Sequence, residues 1–119
     1  MPTATRAERA LYVLVAGQTL RALRTQRQMR QARLAELADL STSALSRFEH
    51  GQSMPDLPEA RRLAMAMGMS LSELTRIVEL AMARALHSRT PSSRDSAATL
   101  TGVAMTAISD VLAARPGKR

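Results

Sequence analysis

Apolar residues recur at helical intervals through almost the whole chain and are interrupted only where polar and turn-forming residues cluster. Thr5 and Glu8 form a Thr-x-x-Glu capping box. They predict a helix that starts near residue 6. It either runs through Gly17 to about Gln28 or breaks at Gly17, where glycine costs about 1 kcal/mol. The run YVLV also suits an extended arm. Leu34, Leu37 and Ala38 mark a second, short helix, and Ala35 is small enough for another helix to approach closely. Asp39 stands where that helix should stop, because Asp tolerates a left-handed backbone. Leu40 then points inward, and Ser41 can cap a third helix whose buried stripe is Leu45 and Phe48. Gly51 ends it. Two further capping boxes, Asp56 with Glu59 and Ser70 with Glu73, open a helix ending at Gly68 and another from about Leu71 to Leu86. Met65, Met67 and Met69 read as fillers of irregular core gaps. HSRTPSSRDS has the composition of a linker. A last helix, about Ser96 to Ala114, carries Leu100, Val103, Ala104, Ala107, Ile108, Val111 and Leu112 on one stripe, and RPGKR is a frayed basic tail.

The fold class predicted is therefore all-α. The chain divides into an N-terminal extension (1–16), a five-helix domain (17–86), a linker (87–95) and a C-terminal helix with its basic tail (96–119).

Within the domain, QARLAELADLSTSALSRFEHG, from Gln31 to Gly51, is two short helices joined by a tight turn. The second carries Thr42, Ser43, Ser46 and Arg47 opposite its buried stripe. That is the layout of a helix-turn-helix, whose second helix docks in the DNA major groove. The stretch resembles the phage repressor and Cro family of bacterial DNA-binding regulators, the XRE family. The resemblance runs from about Gly17 to Leu74: GQTLRALRTQRQM resembles the family's opening, SRFEHG its usual S-R-hydrophobic-E-N-G, and Gly68-Met69-Ser70 its Gly-Val-Ser. Arg30 stands where the family has a capping Ser or Thr, Asp39 where it has Gly, and His50 where it has Asn. The resemblance implies a lambda-repressor-like fold.

The candidate site follows from these positions. Thr42, Ser43, Ser46 and Arg47 are the candidates for base contact. Arg47 can give two parallel bonds to guanine, which discriminate by about 1–3 kcal/mol. Gln31 opens the second helix, where backbone N–H groups and the helix dipole favour a phosphate, and the resemblance gives its side chain the same partner. Arg27, Arg30 and Arg33 near the first loop, with Gln52 and Ser53 after the recognition helix, are further phosphate candidates. The resemblance also implies a structural ion pair between Arg24 and Glu49.

Net charge sharpens the picture. The chain of 119 residues carries +7, and residues 1–33 hold seven Arg against Glu8 alone, a basic flank suited to an anionic partner. There is no Cys, so no disulfide. Hydrophobic runs are too short for a membrane span, and MPTATRAER has no signal-peptide pattern, so a cytoplasmic protein is expected. His50 and His87 stand apart without the surroundings of a metal site, and no catalytic constellation emerges, so neither an enzyme nor a cofactor is expected. With one Tyr and one Phe there is no stacking platform for single strands or RNA.

The expectation is a sequence-specific regulator of transcription that binds double-stranded DNA, a repressor acting as a homodimer on a palindromic operator. Two alternatives stay open: an antitoxin whose extra helices wrap a toxin while its core represses its own operon, and an interaction module without DNA binding. The last helix either folds back on its own domain or meets its twin. The twin is favoured, because a palindrome needs a two-fold protein.

Overall fold

The computed structural model describes residues 4–88, 94 and 96–114, and among these every regular element is a helix. Helix α1 (Arg6–Gln26) begins where Thr5 accepts the Glu8 backbone N–H at 3.0 Å. It then continues without interruption through Gly17. The extended arm is thus not formed, and the division drawn at residue 17 falls inside a helix. The reason is burial: Leu11, Val15, Leu20 and Leu23 share one inward face, so the two halves of α1 serve the same core. Thr19, fully buried in that face, satisfies its hydroxyl on the Val15 carbonyl at 2.7 Å.

After α1 the chain turns through Gln28 (φ 54), with the Met29 N–H returning to the Arg24 carbonyl. Helix α2 (Gln31–Leu37) starts at Arg30, whose side chain makes no capping bond. Asp39 adopts φ 55, and the Leu40 N–H closes on the Ala35 carbonyl at 2.8 Å. Helix α3 (Thr42–Glu49) is capped by Ser41, which accepts the Ala44 N–H at 3.0 Å. Gly51, at φ 69, reverses the chain after it. Helix α4 (Leu57–Ala66) opens with the full Asp56–Glu59 capping box and ends at Gly68, φ 78. Helix α5 (Leu71–Ser88) follows, then α6 (Ala97–Ala114).

The core runs through all six helices. Leu34 and Ala35 of α2, Leu45 and Phe48 of α3, and Leu63 and Ala64 of α4 meet Leu74, Ile77, Val78 and Ala81 of α5 around the inner face of α1. Met67 and Met69 fill this core, whereas Met65 is 56% exposed and does not. Two arginines close helix ends that lack partners: Arg62 Nε donates to the Ala38 carbonyl at 2.8 Å and Arg27 Nε to the Met67 carbonyl at 2.6 Å.

Of the two arrangements expected for the last helix, α6 takes the one in which it folds back on its own domain. Its stripe is covered within its own chain: Leu100, Ala104, Ala107, Ile108 and Val111 are buried, and α6 packs on both α1 and α5. Ala104 and Ala107, like Ala81 and Ala85 of α5, are small enough to let the backbones approach closely. An amphipathic helix needs any apolar surface, and α1 with α5 supplies one at short chain distance. His87 and Ser88 extend α5 into the expected linker, while residues 89–93 and 95 and the basic tail 115–119 lie outside the described residues. On the far side of α1, the Tyr12 hydroxyl donates to Glu79 Oε2 of α5 at 2.7 Å. Burial, then the hydrogen bond and charge of Glu79, push the phenol up to about 12.

Candidate nucleic-acid interface

The candidate interface is built on the turn between α2 and α3. Asp39 and Ser41 set the angle between the helices, and Leu45 and Phe48 anchor one side of α3 in the core. The opposite side is therefore turned out. Thr42, Ser43 and Arg47 are exposed there and Ser46 is half-buried. Among the described residues the Arg47 guanidinium has no partner, so both of its forked edges are available to a ligand. Thr42 and Ser43 likewise leave their hydroxyls unengaged.

The inner end of α3 is fixed by one carboxylate. Glu49 is 2% exposed. Arg24 Nε donates to its Oε2 at 2.7 Å and Arg24 Nη2 to its Oε1 at 3.0 Å, a bidentate pair with the Arg24 side chain itself largely buried. Arg24 Nη1 continues to the Met29 carbonyl at 2.8 Å. Gln31 Nε2 adds a third bond to Glu49, 3.0 Å to Oε1. The start of α2, the last turn of α1 and the end of α3 thus share one buried hydrogen-bond network. No buried side-chain polar atom among the described residues lacks a partner.

Helix α1 reaches α3 at a second point. A Cβ added at Gly17 would overlap the Phe48 carbonyl oxygen and crowd the Glu49 carbonyl. Glycine is thus required for the two backbones to touch.

The expected phosphate candidates divide. Arg30 is exposed at the N-terminus of α2, beside the Gln31 backbone, and its side chain has no partner among the described residues. One N–H of the Gln31 amide is taken by Glu49, which leaves the other. Arg33 is exposed and paired with Glu36 at 2.6 Å, a surface contact weak enough to exchange for a phosphate. Gln52 is exposed and Ser53 half-buried just past α3, on the same side as its C-terminus. Arg27 departs from the role expected. It is half-buried, and its guanidinium is spent on the Met67 and Leu23 carbonyls, because the ends of α1 and α4 need donors.

Two features escaped the reading of the residues. One is the Gln31–Glu49 bond, which links side chains on different helices. The other is His50, whose Nδ1 lies 2.7 Å from the Ser46 carbonyl oxygen and 3.4 Å from Ser46 Oγ. Its helical spacing from Ser43, Ser46 and Arg47 was the available signal.

Among the described residues no group of three or more acidic or imidazole side chains could hold a metal, and no helix is long and apolar enough to cross a membrane. Against curated proteins the chain finds no match. The helix-turn-helix family model matches residues 20–74, from the second half of α1 to the first turn of α5, and takes in α2, α3 and α4 whole. Residues 20–74 are thus a helix-turn-helix domain of the Cro/C1-type, or XRE, family.

Proposed function

We propose that this protein is a sequence-specific regulator that binds duplex DNA through α3 and represses transcription as a homodimer on a palindromic operator. The observation that carries the reading is the outer stripe of α3. Thr42, Ser43 and Arg47 stand exposed with their polar groups unengaged, while Leu45, Phe48 and the Arg24–Glu49 pair hold the opposite side rigidly. A stripe of that kind suits the base edges of a major groove. Arg30 and the Gln31 backbone at the start of α2, and Gln52 and Ser53 beyond α3, flank it where two phosphate strands would pass. Thr42, Ser43, Ser46 and Arg47 read bases. Arg30, Gln31, Arg33, Gln52 and Ser53 hold the backbone.

The test is selection of bound duplexes from a random pool. A defined motif repeated with two-fold symmetry is expected, with half-sites about one helical turn apart and affinity that falls steeply with salt. A pool that never enriches would reject the regulator. A motif without symmetry would reject the dimer alone.

A further inference from the structure

Ser43, Ser46, Arg47 and His50 lie three, four and seven positions apart, so His50 continues the DNA-facing stripe of α3 one residue past its last turn. Its geometry is specific. A carbonyl oxygen only accepts, so the 2.7 Å contact with the Ser46 carbonyl requires a proton on Nδ1. The ring is held in one orientation and one tautomer. Among the described residues Nε2 has no hydrogen-bond partner, and His50 is exposed, between the base-reading stripe and the expected backbone contacts Gln52 and Ser53 in the chain. Any second proton must therefore go to Nε2, where it creates a cation and a new donor together.

We infer that His50 is a proton-linked clamp on the DNA backbone: Nε2 takes up a proton as the duplex docks and donates it in a charge-assisted bond to a phosphate oxygen. This rests on the DNA-binding reading above. Among the described residues of the neighbouring elements, no carboxylate is left over for the imidazolium to pair with. On α3 the charged neighbours are Arg47, which is unpaired, and Glu49, which is turned inward to Arg24. On α1, between Ala10 and Leu20, the one ionisable group is Tyr12, bound to Glu79 on the far side. On α2, Arg33 and Glu36 pair with each other, and Arg30 adds a second cation at its start. The segment from Gly51 to Pro55 has no ionisable side chain, and Asp56 beyond it is committed to its capping box. The carbonyl end of α3 also favours a cation. A phosphate is the anion this position lacks.

The experiment measures affinity of the full chain for a selected duplex between about pH 8 and pH 5.5, the range in which an imidazole changes charge, at constant ionic strength. Affinity should rise roughly tenfold as pH falls, the scale of one charge-assisted hydrogen bond. The slope of log affinity against log salt should steepen by about 0.9, one more phosphate neutralised. His50→Asn should flatten both effects while still binding, and His87→Gln should leave both in place. Persistence of the pH effect in His50→Asn, or a flat wild-type profile with duplex binding intact, overturns the clamp alone. Absence of duplex binding at every pH and salt overturns the regulator and the clamp together.

Discussion

Gly17 of α1 lies directly under the carbonyl oxygen of Phe48, and α3 rests on that contact. In an ordinary helix interior, Gly→Ala is favourable by about 1 kcal/mol. Here the methyl group would meet backbone atoms, which cannot rotate away. Gly17→Ala should therefore destabilise, by about 1–3 kcal/mol, and weaken duplex binding through displacement of the end of α3. Denaturant melts check the sign. A more stable variant would show that the contact yields freely.

Glu49 holds Arg24 and Gln31 from a site with almost no solvent access. Its removal leaves a guanidinium largely buried without its partner. Glu49→Ala should cost about 3–5 kcal/mol, much more than an exposed pair. Arg33→Ala, which breaks the exposed pair with Glu36, should cost less than about 1 kcal/mol. Equal melting temperatures for the two variants would remove the case for a buried network.

Arg47 and Gln31 should separate by specificity. Arg47→Ala is expected to relax preference at one base pair in each half-site, while Gln31→Ala should weaken all duplexes alike. Competition against single-base variants of the selected site distinguishes them. Uniform losses from both would reassign Arg47 to the backbone.

Much of this architecture was legible because it is local. The caps at Thr5, Ser41, Asp56 and Ser70 each bind a backbone N–H within one turn, and the left-handed turns at Asp39 and Gly51 sit on residues that favour them. Gln28 is left-handed too, but glutamine gives no local sign of it. The rest depends on what lies across space. Gly17 looks like a weak point in a helix until Phe48 is placed against it. Arg27 looks like Arg30 until the Met67 carbonyl arrives beside it. The α6 stripe shows that a face must be buried, and only the fold shows that α1 and α5 bury it. The stripe of α3 was readable from spacing; the hydrogen bond that orients His50 was not.

Tyr12 supplies a pH signature. Its phenol, ordinarily near 10, is raised to about 12 by burial and by Glu79. The folded chain therefore keeps the proton that the unfolded chain loses. The associated stability is fully present below pH 10 and declines as pH rises from there towards about 12. Tyr12 is the single Tyr and there is no Trp, so phenolate absorbance reports it directly. Glu79→Gln should move the titration back towards 10. A wild-type titration already at the ordinary value would mean that the α1–α5 hydrogen bond is not made.

Helix α6 should behave as core. Its Leu100, Ile108 and Val111 are buried, and each such side chain contributes about 1.5–3 kcal/mol. Together they are comparable with the whole stability of a small domain, about 5–15 kcal/mol. Removal of residues 89–119 also uncovers the faces of α1 and α5 on which α6 packs. The shortened chain should lose cooperative folding, as measured by circular dichroism and thermal melting. Ile108→Ala is the milder form: a loss of about 2–4 kcal/mol, with the subunit number of the intact protein unchanged. Light scattering on the same samples separates the alternatives. A shortened chain that stays folded and turns monomeric, where the full chain is dimeric, would return α6 to the role of a dimer arm.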